Sequence, residues 1–188
     1  MTVEEIFKNL STHMIKGVMI HEQMANYYDF LNLHGYKRCH EYHMMKEMCS
    51  HRSLCRYYIN HYNKLIPEDE FDTPAFIPES WYSHVRQDVD TATIKTSVKT
   101  GLVKWVEWER DTKALYQQMY SELIALNEIA SAMKVKEFIC DVDCELKKAE
   151  RYLLSKEAVG YDIVMIVSEQ KDKHDKYKKK LENVTKIK

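Results

Sequence analysis

Apolar residues recur along the first part of the chain in alternating steps of four and three. Leu10, Met14, Gly17, His21, Met24, Tyr28 and Leu31 keep one face turned the same way, which predicts an amphipathic helix over residues 3–34. Gly35 breaks the pattern after His34, as a helix C-terminal glycine would. A second stripe, His40, Met44, Glu47, His51, Cys55, Tyr58 and Tyr62, predicts a helix over 36–65 that Pro67 ends. The turn between the two is short, so they are expected to pack antiparallel.

The periodicity lapses over 66–92. The stretch "IPEDEFDTPAFIPESWYSHVRQDVDT" holds all three prolines and a cluster of acids, and reads as a crossover. One short helix is expected near Ser80 to Gln87, with Ser80 as its cap. Extended, a segment of this length spans ~80 Å, enough to return along a bundle ~45 Å tall. Ile94, Val98, Leu102, Trp105, Glu109, Thr112, Tyr116, Met119 and Leu123 then predict a third helix over 93–131. Phe138, Val142, Glu145, Ala149 and Tyr152 predict a fourth over 135–158, with Gly160 expected to kink or end it. From Tyr161 the apolar run "DIVMIV" gives way to a lysine-rich stretch, which predicts a solvated tail helix over 161–184 that frays. Residues 1–188 thus read as one all-α domain, a four-helix bundle of two hairpins joined by a long crossover, plus a C-terminal helical segment.

Composition sharpens this picture. Only 4 Gly and 3 Pro occur in 188 residues, too little turn punctuation for many short strands. The 13 tyrosines and 10 methionines suit irregular helix packing. Net charge is −1 and the isoelectric point about 6.8, so no global field for nucleic acid or a membrane is expected. No window reaches the roughly 20 apolar residues of a membrane span, and the acidic start does not read as a signal peptide. Five cysteines, none in a CxxC pair, point to a reduced, cytoplasmic setting. The C-terminal lysines are the one stretch that could meet a phosphate-rich partner.

The chemistry sits in the stripes. Each helix places an ionisable side chain among apolar ones: His21 on the first, His40, Glu47 and His51 on the second, Glu109 on the third, Glu145 on the fourth. Buried charges are costly unless paired or bound to a metal. His21 lies 14 residues before Gly35 (35 − 21) and His51 lies 16 after it (51 − 35), which puts them at one height, with Glu47 a turn away. Glu109, 16 residues from Thr93, falls at that height too. On the fourth helix Glu145 and Glu150 both remain open. His40 and His43, flanking Glu41, read as exposed. Cys49, Cys55, Cys140 and Cys144 read as free thiols, and Trp105 and Trp108 as core packing.

These stretches resemble the ferritin-like superfamily of ferritins and related di-iron carboxylate bundles. "MIHEQMANYY" (Met19 to Tyr28) is similar to a first-helix stretch of bacterial ferritins, and "KEMCSH" (Lys46 to His51) to their second-helix Glu-x-x-His region. "WVEWERD" (Trp105 to Asp111) and "EFICDVDCELKKAE" (Glu137 to Glu150) resemble the third and fourth helices, so that the likeness covers roughly residues 3–155. It implies a core metal site for iron, or for manganese or zinc, with Glu109, Glu47 and His51 as ligands. His21, Glu22 and Glu145 complete the candidate set. The departures are specific: Tyr27 stands where the family has a first-helix glutamate, Glu47 and His51 are four apart rather than three, and Leu146 and Ala149 occupy the fourth-helix positions. The alternative expectation is a metal-free bundle whose inward polar groups bond one another, acting as a scaffold or interaction module. Either form is expected to self-associate as a dimer or larger homo-oligomer, with Tyr27 and Tyr57 on the exposed face.

Overall fold

A computed structural model describes residues 1–67 and 76–185. Among these residues six α-helices form: α1 (Val3–Phe30), α2 (His34–Tyr62), α3 (Thr91–Ala125), α4 (Ile129–Glu157), α5 (Ile163–Ser168) and α6 (Gln170–Thr185). No strand occurs among the described residues.

Local chemistry sets the ends. Thr2 and Glu5 make a capping box: the Glu5 N–H donates to Thr2 Oγ1 at 3.2 Å, and the Thr2 N–H donates to Glu5 Oε2 at 2.6 Å. Asp90 caps α3 by accepting from the Thr93 N–H at 2.7 Å. The first hairpin turns at Asn32, not at Gly35. Asn32 takes a left-handed φ of 58°, and the Leu33 N–H closes back onto the Tyr28 carbonyl at 2.8 Å. Asn127 does the same for the second hairpin, with the Glu128 N–H on the Leu123 carbonyl at 2.9 Å. Short polar asparagine is among the few residues that enter this region readily. Both turns therefore come earlier than the glycine and apolar pattern predicted, and each following helix starts earlier.

Gly35 lies inside the first turn of α2, which has no cap from its own neighbourhood. Gln170 supplies one from the far end of the chain: its Oε1 accepts the Gly35 N–H at 2.8 Å. The tail is consequently not a fraying appendage. Helix α6 packs along α2, with Tyr177 fully buried, and Lys173 is buried between the rings of Tyr36 and Tyr152. Gly160, at φ 58°, follows the end of α4 and begins the turn into α5.

In the crossover, residues 68–75 lie outside the described residues. Beyond them run two 3-10 turns, Glu79–Ser83 and Arg86–Asp88, instead of one capped helix; Ser80 lies inside the first and caps nothing. Trp81 stacks on Tyr27 with centroids 4.0 Å apart, and the Tyr27 hydroxyl meets His84 Nδ1 at 2.9 Å and Ser97 Oγ at 3.0 Å. Tyr27 is therefore buried under its own crossover rather than displayed. Tyr57 is half-buried, bonded to Ser131 at 3.1 Å.

Helix α1 packs on α2, α3 on α4, and α1 on α3; α2 and α4 stand farther apart. Two apolar clusters fill the interior. One holds Ile6, Phe7, Leu10, Met14, Leu54, Tyr58, Tyr116, Met119 and Phe138. The other holds Met24, Tyr28, Tyr36, Leu102, Trp105, Leu146, Ala149 and Tyr177. Between them lies a layer of histidines and acids.

Candidate metal centre

The layer is built from three helices. His21 comes from α1, His40 and His43 from α2, and Glu109 from α3, all at 1–2% exposure. One ligand atom from each of His21, His43 and Glu109 lies within 4.8 Å of the other two, the one such metal-compatible group among the described residues. His21 Nδ1 and His40 Nδ1 share a hydrogen bond of 3.0 Å. His43 Nδ1 faces Glu145 Oε2 at 3.5 Å. Trp105 Nε1 donates to Glu109 Oε1 at 2.9 Å and fixes the carboxylate. That leaves His21 Nε2 and His43 Nε2, both buried and both without a hydrogen-bond partner.

Electrostatics suit a cation. Burial lowers the His21 imidazole to about 4 and pushes His40 and His43 well below the usual range, so all three stay neutral at pH 7. Burial raises the Glu109 carboxyl to about 7, and burial together with the neighbouring Glu109 charge raises Glu47 to about 8. Burial thus opposes the charged form of both acids, a penalty that a bound cation reverses. They line, with His43, Lys46, Asp141 and Glu145, a small cavity of about 20 Å³ in the seam between α2 and α4, room for one water or one ion. Gly17 makes the space on the α1 side. A Cβ there would meet Glu47 Cγ at 3.2 Å.

The six candidates separate. His21 and Glu109 come together, and Glu47 lines the adjoining cavity. Glu145 reaches the site, whereas Glu150 pairs with Arg110 at 2.8 Å on the outside. Yet Glu145 already holds two ammonium groups, Lys46 at 2.8 Å and Lys148. Burial alone would raise its carboxyl, but the two lysines outweigh burial and hold it below the usual range. His51 turns to Ser11 Oγ at 2.9 Å and to Cys55 Sγ at 3.6 Å, outside the cluster. Glu22 is exposed. The residue missed by the stripe is His43; it and His40, which the stripe includes, read as exposed beside Glu41 in the sequence and are both buried in the core. None of the cysteines joins the site: Cys49, Cys140 and Cys144 are exposed, Cys55 is half-buried, and Cys39 is buried beside Tyr177.

The arrangement of the long helices matches solved structures. A humanized archaeal ferritin superposes with a TM-score of 0.74 over 93% of this chain and 98% of its own, at 12% identity. The fold is the helical-bundle fold of this ferritin. An Archaeoglobus fulgidus ferritin engineered into a closed form gives 0.73 at 12% identity over 93% of this chain and 97% of its own. A PmFTN variant soaked in iron gives 0.71 at 14% identity over 89% and 96%. No protein-family model matches the chain, and no curated protein sequence does. At such identities the ferritin-like likeness is one of fold. No helix of the described residues is long and apolar enough to cross a membrane.

Proposed function

We propose that this ferritin-like chain binds one divalent transition-metal ion in its polar layer and works in metal or redox handling. Iron is the first candidate, with manganese or zinc open to the same donors. The observation that carries the reading is that His21, His43 and Glu109 each bring a ligand atom within 4.8 Å of the others, while His21 Nε2 and His43 Nε2 are buried without a partner. A buried polar atom without a partner costs about 1–3 kcal/mol, and an ion between the two would satisfy both. Two imidazoles and one carboxylate leave coordination positions open, a donor set that suits ferrous iron. Glu47 is the natural fourth ligand from the adjoining cavity. Iron held there would supply one-electron chemistry. For both Nε2 atoms to offer lone pairs to an ion, the His21 and His43 protons would sit on Nδ1, toward His40 and Glu145, the contacts the chain supplies at 3.0 and 3.5 Å. The apolar clusters on either side keep bulk water out. The iron-soaked PmFTN structure supports testing iron first.

One observation favours the second reading, a metal-free scaffold or interaction module. Lys46 brings a positive charge to the cavity and occupies Glu145, as a structural ion pair would. Apolar residues exposed around α5, Leu154, Val164 and Val167, offer a surface for self-association into a dimer or larger homo-oligomer. Metal-free protein is to be titrated separately with ferrous iron, manganese and zinc while ion content and melting temperature are followed. The metal reading expects close to one ion per chain and a raised melting temperature, because a ligand of the folded state stabilises it. Protein that takes up no ion and melts unchanged fits the scaffold.

A further inference from the structure

Outside the polar layer, two helices deliver lysines to one spot. Lys148 of α4 and Lys180 of α6 stand over the ring of Tyr42, 5.9 and 5.0 Å from its centroid. Lys176 and Lys180 stand over the ring of Tyr177, at 5.6 and 5.4 Å. The two rings are themselves 5.7 Å apart, so three ammonium groups surround one tyrosine pair. Lys176 and Lys180 are brought there by α6, which is docked by Gln170 on the α2 N-terminus and by the Tyr152–Tyr177 hydroxyl contact at 3.0 Å, and Lys148 by α4.

The charge balance at this spot is one-sided. Glu145 is the carboxylate paired with Lys148, and it also serves Lys46. Among the described residues neither Lys176 nor Lys180 closes a salt bridge. Partial burial, then Lys148 and Lys176, holds the Lys180 ammonium below its usual range. Fixing like charges together is unfavourable unless something negative joins them. Lysine is a point-charge donor common in phosphate sites. We propose that Lys148, Lys176 and Lys180, set around Tyr42 and Tyr177, form a site for a phosphoryl dianion, as free phosphate or as the phosphate of a small nucleotide. The focus is compact, on a chain whose net charge is −1, which argues for a small anion over a nucleic-acid strand. The inference stands apart from the metal reading, since none of the three lysines is a proposed metal ligand.

The test titrates the full chain, at low salt and pH 7.5, with inorganic phosphate and separately with adenosine triphosphate, by calorimetry. The wild type is compared with Lys176→Ala/Lys180→Ala and with Lys171→Ala/Lys178→Ala, which removes the same charge from exposed positions of α6. Saturable binding of either probe is expected, weakened at least tenfold in the first variant and within twofold of wild type in the second. Saturation by phosphate identifies the free ion; saturation by the nucleotide alone identifies a carried phosphate. Lys180→Arg keeps the charge and should retain binding, which separates charge loss from loss of α6 docking. The proposal is overturned if neither probe binds in the millimolar range, if both double variants lose binding equally, or if duplex DNA binds more tightly with growing length.

Discussion

The rings of His21 and His43 face each other with centroids 5.4 Å apart, one from each arm of the first hairpin, and the Nε2 of each is buried without a partner. Both lie 11 residues from Asn32 (32 − 21 and 43 − 32), the residue in the left-handed turn. At 1.5 Å per residue that places them together, ~16 Å below the turn. Two apolar clusters bracket this level, so the polar pair is enclosed from both sides.

A first prediction concerns pH. His13, His21, His40 and His43 are all held below the usual imidazole range by burial, so each binds its proton more weakly in the folded chain. Their contribution to stability therefore grows as pH rises from 4 to about 6.5. Glu109 and Glu47 act in the opposite sense. Their carboxyls are raised to about 7 and about 8, so the folded chain binds those protons more tightly than the unfolded chain. The stability they contribute is full below about 4.3 and is lost as pH rises through 7 and 8. Metal-free protein should consequently be most stable near pH 6 to 7 and melt progressively lower up to pH 8.5. Glu47→Gln should flatten the alkaline arm, and melting curves across this range measure it. An alkaline arm as steep as wild type would contradict the raised Glu47 carboxyl.

Docking of the tail depends on a missing methyl group. A Cβ on Gly35 would stand 2.6 Å from the Gln170 carbonyl oxygen and 2.8 Å from Lys173 Cβ. Gly35→Ala should cost about 1–3 kcal/mol by overpacking and loosen α6 before the bundle. Hydrogen exchange should speed up in residues 170–184 while α1 and α3 keep their protection. Unchanged exchange in α6 would contradict the docking described.

The helices were legible because their stripes are long and regular. The turns were not. The turns fall at Asn32 and Asn127, whose side chains carry no hydropathy signal yet tolerate the left-handed backbone, rather than at Gly35 and between residues 131 and 135. A three-residue error in the first turn moved the expected partner of His21 from His43 to His51. Glu109 needed no such register, since it falls on the α3 stripe itself. The docked tail was hidden for another reason. Its anchors are Gln170 and Lys173, polar residues that act through a backbone cap and an ammonium between aromatic rings. Tyr27 was likewise unreadable, because the ring covering it, Trp81, lies 54 residues away (81 − 27) in the crossover.

The Lys46 ammonium competes with any ion for Glu145. Lys46→Met removes one positive charge from the cavity wall and frees Glu145 Oε1. Affinity for a divalent ion should rise, by up to about tenfold for removal of roughly 1.4 kcal/mol of repulsion. Calorimetric titration compares the two proteins. Weaker binding in the variant would mean that Lys46 supports the site rather than opposing it.

His21, His43 and Glu109 are proposed to hold one metal ion. The most direct measurement is ion content per chain after anaerobic loading with ferrous iron and gel filtration, for wild type, His43→Ala, Glu109→Ala and His51→Ala. About one ion is expected in the wild type and in His51→Ala, and loss of the ion in His43→Ala and Glu109→Ala, each still folded by circular dichroism. A wild type that elutes without iron, or an ion that survives in His43→Ala and disappears in His51→Ala, would contradict this proposal.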